Sequence, residues 1–216
     1  MDKTVYTRYF TLPTNPVPVS YIEKRARENR ISLNPDKVNL VAVGSLTWKK
    51  GFDRLLRAIA LLKRKDIHLT ILGEGEEERF LKGLASKLNL RDKVTFLGFK
   101  TNPYPYMAQA DLMVFTSRHE GFPNVLLEAN ACGTPVLAMK CPGGINEIII
   151  EDLNGWTVKN GDVQTFAKKI EAALHKVWDR NSIRMSVKKR YDVSIIMPQY
   201  EAILMALTMR SHREVM

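Results

Sequence analysis

The sequence is poor in cysteine. Only Cys132 and Cys141 occur, in neither a CxxC nor a metal-ligand spacing. That argues against a disulfide scaffold or a zinc site, and for two reduced thiols in a cytoplasmic protein. No apolar run approaches the ~18 residues that a membrane span needs. Residues 1–10 mix Asp2, Lys3 and Arg8 with aromatics and lack the apolar stretch of a signal peptide. The expected location is therefore the cytoplasm, with a peripheral membrane contact left open. There is no internal repeat and no GxxxxGK[ST] phosphate loop. An aromatic stacking platform and a basic recognition helix are also missing, so nucleic acid is not the expected partner.

What is present is a globular composition. Of 216 residues, 45% are apolar and 26% charged, enough apolar matter for a core and too much for a disordered chain. The formal charge of +10 points to an anionic partner such as a phosphorylated ligand, or to a basic solvated surface.

The chain alternates short apolar runs with helical patterns. Strands are expected at Val38–Val43, Ile67–Leu72, Val94–Leu97, Leu112–Phe115, Val136–Met139 and Gly155–Val158. Helices are expected at Tyr21–Arg30, Phe52–Lys63, Glu76–Leu88, Tyr104–Ala110, Asn124–Cys132, Ile145–Ile149 and Val163–Val177, with two more to the end. Pro13, Pro16 and Pro18 make Thr11–Ser20 extended or loop-like. This alternation predicts an α/β, Rossmann-like parallel sheet with helices on both faces. Gly44, Gly73, Gly98, Ser117, Glu120 and Gly143 each follow a strand, so they share the rim where such sheets bind ligands.

Four elements on that rim carry chemistry. Gly44 to Gly51 places Lys49 and Lys50 before a helix that begins near Phe52, a phosphate-attracting arrangement or merely a loop of solvated lysines. Gly73-Glu74-Gly75 is a close-approach turn or an ordinary one. Ser117 to Ala129 holds Glu120 in a loop and Glu128 eight positions later, in the second turn of the next helix; Gly121 permits the bend and Pro123 opens the helix. An ionised carboxylate suits a vicinal diol. Glu128 stands among Leu126, Leu127 and Ala129, where an unpaired carboxylate is costly. Pro142 to Glu147, with Gly143 and Gly144, is a backbone cradle for a diphosphate or a flexible turn. His119 orients the loop rather than touching a ligand, and His68 and His175 are expected at the surface.

In this order the elements resemble the C-terminal domain of GT-B-fold, family 4 retaining glycosyltransferases. The resemblance spans Pro16 to Val177 and is tightest from Gly98 to Val158: EGFPNVLLEA, with Glu120 and Glu128 as its E-x₇-E pair, then GTPV, PGGINEII and NGW. It implies that Glu128 holds the donor ribose and that Glu120 faces the donor sugar. It further implies that Gly121, Phe122, Pro123, Asn124 and Val125 approach sugar and diphosphate through their backbone. Lys50 matches the lysine that neutralises the diphosphate, beside Gly44 and Ser45; Phe99 and Lys100 fall where the base is contacted. Glu120 and Lys50 are the implied catalytic pair. The donor is a nucleoside-diphosphate sugar, UDP- or GDP-linked, with no bound metal and no further cofactor. Many relatives carry arginine where this chain has Ser45, which leaves Lys50 more of the diphosphate.

The resemblance also divides the chain. Residues 1–36, with TNPVP at Thr14–Pro18, correspond to an interdomain crossover. Residues 37–193 form the nucleotide-sugar domain. Residues 194–216 form the last helix, which in the family packs on a first domain that would carry the glycan or lipid-linked acceptor. The chain is thus expected to be the donor half of such an enzyme, inactive in isolation, or a non-catalytic subunit that needs a partner chain.

Overall fold

The computed structural model describes residues 14–28, 31 and 33–213. The expectations placed on residues 1–10, on Pro13 and on residues 29–30 lie outside the described residues.

Six strands form one sheet: β1 (Val38–Val43), β2 (Ile67–Leu72), β3 (Val94–Phe96), β4 (Leu112–Phe115), β5 (Val136–Met139) and β6 (Gly155–Val158). All pairings are parallel, in the order β3-β2-β1-β4-β5-β6. The chain starts in the middle at β1, winds to the β3 edge, and restarts at β4 beside β1. That junction is the topological switch point, the rim beside which such sheets bind ligands.

The helices are α1 (Val19–Arg27), α2 (Phe52–Leu61), α3 (Glu78–Lys87), α4 (Tyr104–Gln109), α5 (Asn124–Ala131), α6 (Ile145–Ile148), α7 (Val163–His175), α8 (Arg180–Tyr191) and α9 (Val193–Arg213). Alternate strand residues serve opposite faces. Leu40 and Ala42 join Leu55, Leu56 and Ile59 of α2, Leu81 of α3 and Phe166 of α7. Val41 instead joins Ile22 of α1, Met107 of α4, Leu127 of α5 and Val187 of α8. Because both faces are covered, the central strands read as unbroken apolar runs, and β4 and β5 are buried at every position.

Each fully buried leucine or isoleucine contributes roughly 1.5–3 kcal/mol, more than the ~0.7 kcal/mol range of ordinary helix propensities. Packing therefore sets the helix ends. The helix expected to reach Lys63 stops at Leu61, because Leu62 turns extended (ψ 126°) and buries its side chain. The helix expected from Tyr21 starts two residues earlier, and Val19 and Ile22 are fully buried. The segment expected to be a connection thus contributes a core helix. Asp162 and Asp179 cap α7 and α8 by accepting the Thr165 and Asn181 N–H groups.

The segment entering α1 meets the junction between α8 and α9. Val17 N–H donates to Tyr191 O (2.7 Å), Val193 N–H to Val17 O (3.2 Å), and Val19 N–H to the Asp192 carboxylate (3.2 Å). Beyond this junction α9 exposes Ile195, Met197, Leu204 and Met205, and Ile196 is buried. No described helix is long and apolar enough to cross a membrane.

Candidate functional site

Gly44, Gly73 and Gly98 end β1 and β2 and follow β3, and they touch. Gly73 N–H donates to Gly98 O (2.9 Å). Gly73 holds φ +140°, and a Cβ there would lie 1.9 Å from Gly44 O, so no side chain fits. The bare floor opens a cavity of about 320 Å³ bordered by Gly44, Ser45, Glu74, Phe99, Lys100 and Pro103. That is within the size range of small-ligand pockets. The Glu74 carboxylate accepts the Phe99 N–H (3.0 Å) and fixes this wall, while the Phe99 ring is 65% exposed.

Lys50 comes next along the rim. Trp48–Lys50 make one 3₁₀ turn that ends at Gly51, in the left-handed region at φ 67°. A Cβ on Gly51 would stand 2.2 Å from Thr116 O, so this turn presses directly on the end of β4. Thr116 Oγ1 also donates to Gly51 O (2.9 Å). The methylenes of Lys50 pass over Gly44, 3.7–3.8 Å from where a Cβ would be. Its Nζ reaches Glu120 Oε1 at 2.7 Å, and Ser117 Oγ donates to the same oxygen at 2.7 Å. Glu120 is 11% exposed in its side chain and Lys50 28%, so this pair is half out of solvent.

The loops after β4 and β5 are stitched together. Glu120 N–H donates to Pro142 O (3.2 Å) and Gly144 N–H to Gly121 O (3.0 Å). The bend expected of Gly121 needs no glycine: its φ is not positive, and a Cβ there meets nothing within 4 Å. The glycine that is required is Gly143, at φ +123° with a Cβ position 2.3 Å from Glu120 O. Gly144 likewise leaves room for the Phe122 ring, which also packs against Tyr191 (centroids 6.1 Å apart). Pro123 is the buried N-cap of α5, which has no side-chain cap, and Asn124 Oδ1 accepts from Asn15, which precedes α1 (3.2 Å). Val125 is half-buried on the first turn.

Glu128 is different. Leu126, Leu127 and Ala129 beside it are fully buried, and Glu128 itself is half-buried with no hydrogen bond or ion pair among the described residues. Burial pushes its carboxyl above the ordinary glutamate value. Burial first, and then the Glu128 charge, push the Tyr104 hydroxyl up to about 12; Tyr104 follows Pro103 of the cavity wall. No contact joins Glu128 to Glu120.

The structure thus brings Gly44, Lys50, Ser117 and Glu120 together, and places Ser45, Phe99 and Lys100 around the adjoining cavity. His119 is exposed. His68, expected at the surface, is half-buried against Thr95 (2.9 Å), because its strand faces a different cavity, of about 570 Å³, that holds none of the rim residues. Sequence reasoning passed over Glu74 as a turn residue, and over Arg118 and Asp53 altogether. Arg118 and Asp53 form a bidentate pair across 65 positions, which no local pattern signals. Among the described residues no three His, Cys, Asp or Glu side chains form a metal-binding group.

The chain is similar to known proteins. A glycosyltransferase of Campylobacter jejuni, named for transferring N-acetylgalactosamine to a diphospho-undecaprenol-linked acceptor, is 35% identical over 176 residues, covering 82% of this chain and 47% of its own. An uncharacterised glycosyltransferase of Haemophilus influenzae is 28% identical over 94% of this chain and 58% of its own. HepE of Anabaena, crystallised with UDP and glucose, superposes with a TM-score of 0.77 at 25% identity, over 91% of this chain and 57% of its own. The chain therefore spans about half the length of the relatives it matches, and the neighbours share its Rossmann-like half of a GT-B fold. The profile described as "Glycosyl transferases group 1" matches residues 23–190, and the chain belongs to that family.

Proposed function

We propose that this chain is the donor-binding half of a retaining glycosyltransferase that takes a nucleoside-diphosphate sugar. The observation that carries the reading is Lys50 lying across Gly44, a residue of the cavity lining, and meeting Glu120 at 2.7 Å. In this reading the base occupies the cavity, against the wall that Glu74 fixes through Phe99. Glu128 accepts the ribose hydroxyls, a role that would give its carboxylate the partners it lacks among the described residues. The diphosphate takes Lys50 from Glu120, and the ammonium then stabilises the charge that builds on the departing diphosphate. Glu120, released, faces the donor sugar beside the backbone of Gly121 to Val125. The chemistry runs on fixed cations and backbone dipoles, without a metal.

The acceptor is a glycan or a lipid-linked glycan, as the name of the Campylobacter relative indicates for that protein. It would be held by a first domain or a partner chain covering the apolar side chains of α9. The proposed setting is the cytoplasmic side of a membrane. There Lys188 and Lys189 are exposed toward an anionic surface, whereas Arg190 is occupied by Tyr191 and the Glu147 carbonyl. The side chains of Arg210 and Arg213 lie outside the described residues. A second reading, a non-catalytic nucleotide-sugar subunit, is favoured by one observation: Ser45 puts no cation on the rim.

Calorimetric titration with UDP, GDP and ADP tests the donor reading. One of the three is expected to bind at micromolar to millimolar concentration, and its nucleoside far more weakly. No binding of any of them at several millimolar would remove the proposal. Ser45→Arg places a guanidinium beside the diphosphate path and is expected to tighten UDP binding about three- to tenfold. An unchanged affinity would mean that the diphosphate does not pass Ser45.

A further inference from the structure

Arg118 lies two residues before Glu120, where sequence alone would make it another cation for the ligand. Its charge is already engaged. Nη1 donates to Asp53 Oδ1 (2.8 Å) and to Trp48 O (2.7 Å), and Nη2 donates to Asp53 Oδ2 (2.8 Å). The guanidinium lies over the Trp48 ring, 4.6 Å from its centroid, and the side chain is only 12% exposed. Its backbone N–H donates to Lys49 O (2.7 Å). Burial would raise the Asp53 carboxyl, but the Arg118 hydrogen bonds and charge outweigh it and hold that carboxyl below its ordinary value. The Asp53 carboxyl is thereby held toward its ionised form beside the guanidinium.

Each of these contacts ends on the 3₁₀ turn or on the first turn of the helix behind it. Trp48 O and the Trp48 ring form the front of the turn, Lys49 O its middle, and Asp53 the start of α2. Thr116 holds the back of the turn at Gly51. A fork-shaped guanidinium bonded to both carboxylate oxygens and a carbonyl fixes direction as well as distance, which a lysine cannot do.

We propose that Arg118 is the positioning residue for Lys50: it clamps the Trp48–Lys50 turn to the loop after β4 so that the Lys50 ammonium stands at Glu120, where the donor diphosphate enters. The proposal rests on the donor-site reading for its last clause only. The clamp ties together the loops after β1 and β4, and so sets where the Lys50–Glu120 contact forms between them.

The test uses the full chain and two independent readouts. The first is the ¹H–¹⁵N resonance of the Lys50 ammonium, assigned by its loss in Lys50→Arg; a lysine held at 2.7 Å from a carboxylate exchanges slowly enough to be seen. The second is calorimetric affinity for UDP, with uridine as the phosphate-free control. Arg118→Gln, and Asp53→Asn as a milder second variant, are expected to lose the ammonium resonance. They are also expected to weaken UDP about tenfold and to leave uridine unchanged. Arg118→Lys restores little, and Lys50→Ala combined with Arg118→Gln is no weaker than Lys50→Ala alone. The proposal is overturned if the resonance persists in both Arg118→Gln and Asp53→Asn, or if the Lys50 and Arg118 losses multiply. If the resonance disappears in the variants while the parent binds no nucleotide, the positioning role stands and the donor reading falls.

Discussion

Replacing Glu128 with glutamine is expected to make the protein harder to unfold and, in the same variant, poor at holding a nucleotide. The carboxylate sits half-buried on an otherwise buried stretch of α5 without a partner among the described residues, and burial raises its pKa. A raised folded-state value means that the folded chain holds that proton more tightly than the unfolded chain. Glu128 thus supports folding below the ordinary glutamate value, and that support is lost as pH rises through the raised one. Once deprotonated, it is an ionised group in a poorly solvated place. Glutamine removes the charge at constant shape, for a gain of about 1 kcal/mol, or roughly 2–4 °C in melting temperature for a chain of this size. The advantage should shrink as pH falls and the parent's Glu128 takes up its proton. The same substitution replaces charge-assisted bonds to ribose by neutral ones, which costs UDP affinity roughly tenfold to a hundredfold. Glu128→Leu should exaggerate both effects. A Glu128→Gln protein that melts lower and binds UDP as the parent does would mean that the carboxylate is structural.

The second large effect is expected at Lys50. Lys50→Ala removes the cation that meets Glu120 among the described residues, and leaves a carboxylate that is 11% exposed with Ser117 as its remaining partner there. An incoming diphosphate then loses a charge-assisted hydrogen bond and faces an uncompensated negative charge. Two unit charges at 4 Å interact by about 4 kcal/mol at an effective dielectric constant of 20, so repulsion rivals the lost attraction. UDP affinity should fall about a hundredfold or more. The signature is the rescue: Glu120→Gln added to Lys50→Ala should recover about tenfold, because it removes the repulsion without restoring the bond. The recovery should persist at physiological salt, since the pair is screened little by solvent. If the double variant binds no better than Lys50→Ala, then Glu120 does not face the diphosphate path, and the contact between these two side chains is an ordinary surface pair.

Most of the scaffold for these effects is readable without coordinates. The apolar runs at Val38–Val43 and Ile67–Leu72 are strands to the residue, because a strand buried on both faces admits little else. Glycines at strand ends pointed to one rim, and Gly44, Gly73 and Gly98 do meet there. The unease of Glu128 among Leu126, Leu127 and Ala129 was legible too, as a carboxylate that needs a partner. What failed was whatever depended on a distant neighbour. Gly121 looked like the hinge of its motif, yet the glycine that the bend requires is Gly143, which must admit the Glu120 carbonyl from another loop. Helix α2 ends where Leu62 finds the core, not where its helical pattern fades.

By itself the sequence determined the order of strands and helices and the residues that follow each strand. These are set by periodicity and by φ preferences that act over a few positions. Only the tertiary structure decided which charges neutralise each other. Lys50 meets Glu120 across 70 positions and Asp53 meets Arg118 across 65, because β1 and β4 are neighbours in the sheet. Side chains far apart along the chain become partners when strand pairing brings the loops behind them to the same crevice.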